Sequence, residues 1–178
     1  MGFIEETGAA QYLRDAKILT IYEGTTAIQA NDLVGRKTAR DGGQVARAIA
    51  GRIEATEAAL AQRSSAASKS MLKHLRAARA AFVEVVDFVA GSTKASPNAV
   101  FAGSVPYLML AGNVVAGWQM ARALIVAEDQ RAEDAAFMDA KVATARFYAE
   151  HILSKVPGVR DSIIEGHAAV NDMALEAF

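Results

Sequence analysis

The sequence predicts an all-α protein: an up-and-down helical bundle with a short two-helix extension at its N-terminus. Three observations carry this. Apolar residues recur at steps of three and four through most of the 178 residues. No stretch of strict alternation bounded by hairpin turns reads as a strand. Alanine and glycine are spread along the apolar faces, where small side chains let helix axes approach to the roughly 8–10 Å of packed helices.

Taken in order, Gly8 to Lys17 predict a short amphipathic helix, and Ile18 to Glu23 an extended or turning connector. Thr25 or Thr26 is suited to cap the next helix, its hydroxyl accepting an exposed backbone N–H, with Ile28, Leu33 and Val34 as apolar contacts before Gly35. Arg40-Asp41-Gly42-Gly43 breaks the pattern, and a domain boundary is expected there, dividing residues 1–40 from residues 41–178. Val45, Ile49, Ile53 and Leu60 then mark one helix face, and the Ser/Ala-rich stretch from Gln62 to Ser70 a turn. Leu75, Ala78, Phe82, Val85 and Val89 form the clearest packing stripe of the chain. A glycine at 91 and a proline at 97 end that helix.

No charged residue occurs between Lys94 and Arg122, and a helix is expected from about Val105 to Ala127. A membrane span needs roughly 20 apolar residues, but Pro106, Asn113, Gln119 and three glycines interrupt this run, so it reads as a central bundle helix. Ala111, Val115, Trp118 and Arg122 mark its expected packing path. After a charged turn over Glu128 to Glu133, a helix from Ala135 to Leu153 should turn Phe137, Ala145, Tyr148 and Ile152 inward, with Pro157-Gly158 closing it and a short helical segment over Ser162 to Ala177.

Composition narrows the function. A formal charge of -1 with 22% charged residues provides no basic field for nucleic acid. The absence of cysteine excludes disulfides, a thiol nucleophile and thiolate metal sites, and a cytoplasmic location is the expectation. His74, His151 and His167 lack helical metal-ligand spacing and read as scattered surface or internally satisfied residues, so no metal site is expected. The acidic pairs Glu5-Glu6 and Glu133-Asp134 read as solvated faces, and Ser64, Ser65 and Ser68 lie outside any nucleophile motif.

One carboxylate is framed differently. In Arg14-Asp15-Ala16-Lys17-Ile18-Leu19-Thr20-Ile21-Tyr22-Glu23-Gly24-Thr25-Thr26, Glu23 stands between an apolar run and a Gly-Thr-Thr turn. Abstraction of a weakly acidic C–H proton needs a base, and a carboxylate serves when exclusion from water raises its pKa toward the operating pH. Ile18, Leu19, Ile21 and Tyr22 could form the apolar wall, and Gly24 allows close approach of a ligand. A helix beginning at Thr25 or Thr26 opposes that shift through its positive end. On these residues alone two readings stay open for Glu23, a base or a solvated acid before a helix N-terminus, and for Thr26 a ligand contact or a helix cap.

From Gly2-Phe3 through Arg14-Asp15-Ala16-Lys17-Ile18 to Ile21-Tyr22-Glu23-Gly24-Thr25, the segment resembles the last catalytic segment of the FAD-dependent acyl-CoA dehydrogenases. Pro106-Tyr107-Leu108, Gly117-Trp118, Met120-Ala121-Arg122 and Ala143-Thr144-Ala145-Arg146-Phe147-Tyr148-Ala149-Glu150-His151 resemble the helical C-terminal extension of the larger members, the methylmercaptopropionyl-CoA dehydrogenase-like subgroup. The resemblance implies that Glu23 is the catalytic base, that Gly24 lies against the acyl-CoA thioester, and that Thr25, Thr26 and Ala27 touch FAD. Ala27 departs from the glutamine carried there by relatives. It further implies that residues 1–40 end a catalytic helical domain and 41–178 form the extension. Also implied are a homo-oligomer, an electron-transfer flavoprotein as partner, and an isolated chain that is inactive because the upstream flavin contacts are missing. The alternative from a different class is a stand-alone helical interaction or oligomerisation module that keeps the turn only as structure.

Overall fold

The computed structural model describes Glu6, residues 8–21 and 25–172, Ala174 and Glu176. Among the described residues the regular structure is helical throughout, as the periodicity predicts: α1 (Ala9–Ile21), α2 (Thr26–Asp32), a π-helical segment continuing it (Leu33–Ala39), α3 (Gln44–Ala61), α4 (Ala66–Ser92), α5 (Pro97–Ala102), α6 (Ser104–Asp129), α7 (Ala135–His151), a 3-10 turn (Leu153–Lys155), α8 (Val156–Ile164) and α9 (His167–Asn171).

The bundle is organised around α4 and α6, which pack on one another, while α3, α7 and α8 each contact both. Helix α4 is about 40 Å long at 1.5 Å per residue. It begins where Ser65 accepts the Ser68 N–H at 2.9 Å, an N-cap that satisfies one of the unpaired donors of the first turn. Its expected stripe, Leu75, Ala78, Phe82, Val85 and Val89, is buried throughout and is joined by Met71 and Val86. Pro97 stands in the first turn of α5, where its missing N–H is harmless.

Between α3 and α4 the core holds a charge. Glu57 is buried, its carboxylate accepting Arg79 Nε at 2.7 Å and Arg79 Nη2 at 3.0 Å, with Arg76 Nε at 3.7 Å. Two short parallel bonds from one planar guanidinium compensate the desolvation of the carboxylate.

Helix α6 has the length and composition to cross a membrane. In this fold it buries one stripe, Tyr107, Leu110, Val114, Gly117, Ala121 and Leu124, and packs against α2, α4, α7 and α8. The expected path lies one residue around the helix: Ala111, Val115 and Trp118 sit half-buried at its edge, and Arg122 is exposed with its guanidinium 5.7 Å from the Trp118 ring centre. Gly117 is the small residue that matters for close approach, because Leu153 occupies the space a side chain would need.

Several other expectations are corrected. Helix α1 does not stop at Lys17 but runs through Ile21, since Ile18-Leu19-Thr20-Ile21 contains no glycine or proline to interrupt propagation. Phe137 is not inward: it lies in the first turn of α7, 53% exposed, with Lys141 Nζ 4.9 Å from its ring centre, while Ala145 and Ala149 face the core. Pro157-Gly158 does not close α7, which ends at His151; Pro157 opens α8. Of the α3 residues, Ile53 and Leu60 are buried and Val45 is exposed.

The break at Arg40-Asp41-Gly42-Gly43 is a tight turn. Gly43 has φ +79° and lies close to Val86 of α4, which excludes any side chain. The Asp41 carboxylate accepts the N–H groups of Gly43 (2.8 Å) and Val45 (3.1 Å), and Arg47 fastens the turn by donating to the Gly42 carbonyl and to Asp87 of α4.

Candidate functional site

Helix α1 leads into the Tyr22-Glu23-Gly24 segment and α2 leads out of it. Glu23 and Gly24, the expected base and thioester contact, lie outside the described residues. On the near side, Tyr12, Leu13, Ile18, Leu19 and Ile21 of α1 are exposed. On the far side, Thr25 is half-buried and its carbonyl accepts the Gln29 N–H at 2.8 Å. Thr25 occupies the N-cap position of α2, but its side chain makes no capping hydrogen bond. The expected hydroxyl cap is therefore corrected for Thr25. Its near-helical backbone, with φ -96° and ψ -4°, differs from the extended geometry that aims a capping oxygen at the N–H of the second or third residue. Thr26 and Ala27 sit in the first turn with exposed side chains, and Ile28, expected to pack inward, is 65% exposed.

The opposite face of this helix is locked down. Ala30, Val34 and Thr38 are buried at steps of four. An added Cβ at Gly35 would lie 3.6 Å from the Phe101 ring edge, an ordinary packing distance. Asp32 accepts Arg36 Nε at 2.5 Å and Nη2 at 3.0 Å, with Lys37 Nζ at 3.5 Å. The Arg36 bond holds the Asp32 carboxyl below its ordinary pKa. Thr38 Oγ1 and Tyr107 Oη share a buried hydrogen bond of 2.9 Å that ties the π segment to α6. Tyr107 also stacks on Phe82 of α4, centroids 6.5 Å apart, and burial raises its pKa although the Thr38 bond acts the other way. Beside this pair is an apolar cavity of about 430 Å³ walled by Leu33, Ile49, Phe82, Tyr107 and Leu108.

A larger cleft, about 540 Å³, lies at the other end of α6 between Arg63, Ser65, Glu128, Arg131 and Asp139. It is roughly 30 Å along the helix from Tyr107. Glu128 accepts bonds from Ser65, Ser68 and Arg63, Asp129 pairs with Arg63, and Arg131 pairs with Asp139. These groups satisfy one another and brace the α3–α4 turn against the end of α6, so size does not make this cleft the site. Among the described residues no three acidic or histidine side chains converge as metal ligands. His151 stacks on Phe147 and His167 on Phe88.

The structure thus brings Thr25, Thr26 and Ala27 together at one exposed helix start, where backbone N–H groups suit anionic or polar oxygen partners. Sequence reasoning missed the Thr38–Tyr107 bond, since no local pattern links residues 69 positions apart. It also missed the buried Glu57–Arg79 pair.

Comparison with known proteins identifies the family of the chain. Residues 48–174 match the family model for the acetyl-CoA dehydrogenase C-terminal-like domain, and residues 1–37 that for the acyl-CoA dehydrogenase C-terminal domain. A 3-methylmercaptopropionyl-CoA dehydrogenase of Ruegeria pomeroyi is 48% identical over 92% of this chain and 29% of its own length. The broad-specificity linear acyl-CoA dehydrogenase FadE5 of Mycobacterium tuberculosis is 34% identical over 91% of the chain and 28% of its own length. A butyryl-CoA dehydrogenase of Syntrophomonas wolfei is 30% identical over 99% and 30%, respectively. The chain spans less than a third of the length of these relatives. With a family model covering most of its residues, the chain belongs to the acyl-CoA dehydrogenases and corresponds to their helical C-terminal region.

Proposed function

We propose that this chain contributes the catalytic base, Glu23, to an FAD-dependent acyl-CoA dehydrogenase that oxidises an acyl-CoA to a trans-2-enoyl-CoA. The observation that carries the reading is the match of residues 1–37 to the acyl-CoA dehydrogenase C-terminal domain, which contains Arg14-Asp15-Ala16 and Tyr22-Glu23-Gly24-Thr25 without interruption.

The Glu23 carboxylate takes the proton from the carbon α to the thioester carbonyl as the C–H bond breaks and the α,β double bond forms. FAD, when bound, takes up the β-hydrogen as hydride. Gly24 lets the thioester approach the backbone, because it has no side chain to intervene. Thr25 and Thr26 offer hydroxyl and N–H groups to the cofactor, and Ala27 offers backbone alone. A carboxylate enclosed by apolar side chains would gain basicity, and Ile18, Leu19 and Ile21 are available for that wall once further chain covers them.

The same proposal divides the chain near residue 40, the turn that falls between the two family matches, into the end of the catalytic helical domain and an extension. The exposed apolar side chains of α1, with Ile28, support a contact face toward other parts of the enzyme or other subunits of a homo-oligomer. An electron-transfer flavoprotein as acceptor and a cytoplasmic location belong to the proposal on family grounds. The relatives are named for different acyl groups, so the acyl chain is left open.

In a full-length protein carrying this chain, Glu23→Gln should lower kcat by about 10²–10⁴-fold with FAD content retained, the usual contribution of a positioned general base. Near-normal turnover would remove Glu23 from the mechanism. The 178-residue chain by itself should not reduce dye with acyl-CoA, and stoichiometric FAD binding with dye reduction would overturn its role as a partial site.

A further inference from the structure

We propose that the apolar cavity beside Tyr107 binds an aliphatic monocarboxylate, with its chain between α3 and α6 and its carboxylate against Lys37 and the Thr38–Tyr107 hydroxyl pair. The cavity lies roughly 15 Å along the helical run from Thr26, so this site is additional to the one proposed around Glu23.

At about 430 Å³ the cavity falls within the roughly 300–1,000 Å³ of small-molecule sites, which favour the spaces between bundle helices. Its volume comes from small residues. Ala46 of α3 and Ala111 and Gly112 of α6 line it alongside Ile49, Leu108 and Val115, and a Cβ added at Gly112 would meet nothing within 4 Å. These side chains are hydrocarbon throughout, which suits an alkyl chain and offers nothing to a polar one.

The polar features of the lining are confined to Lys37, Thr38 and Tyr107, two of them consecutive in the π segment. Lys37 is the one charged side chain there. Its Nζ lies 3.5 Å from Asp32, but Arg36 already bonds both oxygens of that carboxylate, at 2.5 and 3.0 Å. One carboxylate facing two cations leaves a positive charge to spare, and the Lys37 side chain is 57% exposed, free to turn to a second partner. Thr38 Oγ1 and Tyr107 Oη carry two hydrogens, and the bond between them uses one. Among the described residues the other hydrogen has no acceptor, although both side chains are buried. Buried hydroxyls are ordinarily satisfied. A carboxylate oxygen in the cavity would accept this hydrogen while the Lys37 ammonium balances the charge. The charge of Asp41, felt at Tyr107, is offset by the Gly43 and Val45 N–H groups that donate to it.

The test is calorimetric titration of octanoate into the 178-residue chain and into a full-length protein carrying it. Expected in both is one saturable site that tightens about fourfold per methylene from hexanoate to octanoate. Octanol, which lacks the charge, should bind about tenfold more weakly than octanoate. Lys37→Met should weaken octanoate about tenfold and leave octanol as it was. Ala111→Leu, which places a larger side chain in the cavity, should weaken both at least tenfold. Circular dichroism checks that Ala111→Leu is folded, and Lys37→Met, at an exposed side chain, carries the test if it is not. No saturable binding, or octanoate binding unchanged by Lys37→Met or by a folded Ala111→Leu, would overturn the site. Binding to the 178-residue chain but not to the full-length protein would also overturn it, because other parts of the enzyme would then fill the cavity.

Discussion

Replacing Gly117 by alanine should destabilise the bundle, while the same change at Gly112 on the same helix should stabilise it. Both changes remove a helix-interior glycine, a gain of about 0.8–1.0 kcal/mol from backbone propensity. At Gly112 an added Cβ meets nothing within 4 Å, so the gain is kept. At Gly117 the new carbon would lie 2.6 Å from Leu153 Cδ2, 2.8 Å from Cδ1 and 3.0 Å from Cγ. Carbon atoms pack at about 3.5–4.0 Å. All three outer atoms of Leu153 are too close, and Leu153 is fully buried, so rotating one methyl does not clear the space. Overpacking of this kind costs about 1–3 kcal/mol, leaving a net loss of about 1 kcal/mol. The two variants should differ by about 2 kcal/mol, or 4–8 °C in Tm at 2–4 °C per kcal/mol for a chain of this size. Thermal and urea unfolding followed by circular dichroism measure the difference. Equal stabilisation by both changes would mean that Leu153 does not press against α6 at Gly117.

Arg79→Met should cost about 3–5 kcal/mol in urea unfolding, because it strands the buried Glu57 carboxylate, whereas Glu57→Met with Arg79→Met together should cost far less; equal losses would show that the pair is not desolvated. Gly43→Ala should lower stability by about 2 kcal/mol or more, since a left-handed residue costs roughly 1–2 kcal/mol and the added carbon would sit 2.6 Å from Val86 Cγ1; an unchanged melting temperature would contradict the turn geometry. Burial, and to a lesser degree Lys73, hold the His74 pKa below 6.5 against the opposing pull of Glu150. The unfolded chain therefore binds more protons just below pH 6.5, so stability should fall as pH drops from about 7 through 6 and level off below the folded pKa. His74→Gln should flatten that part of the Tm–pH curve, and an identical curve would exclude His74 as its source.

Legibility in the sequence followed amphipathicity. In α4, polar and apolar residues separate around the helix, and Leu75, Ala78, Phe82, Val85 and Val89 were all correctly placed. In α6 nearly every residue is apolar, so hydropathy could identify the helix and not its inward face, and the path came out one residue off. Phe137, Val45 and Ile28 are apolar side chains that this chain leaves exposed, which no local pattern reveals. Of the connector expected over Ile18 to Glu23, the residues through Ile21 belong to α1, an uninterrupted helix that takes in their β-branched side chains. The family of residues 1–37 is legible through their contiguous motif, while the Thr38–Tyr107 and Glu57–Arg79 pairs depend on which helices become neighbours.

The π segment also sets a phase. An α-helix turns about 100° per residue, and a π turn closes its hydrogen-bonded ring around one residue more than an α turn does. Were the same seven residues of Leu33–Ala39 plain α-helix, with Thr38 still held in place, the rest of the run would be displaced by one residue's turn. Thr26 and Ala27 would then point about 100° away from their present direction, and Ala30, now buried, would leave the core. The direction of the helix start is thus tied to the ring size of the hydrogen bonds in Leu33–Ala39. The exposed side chains of Arg36 and Lys37 have no part in setting that phase.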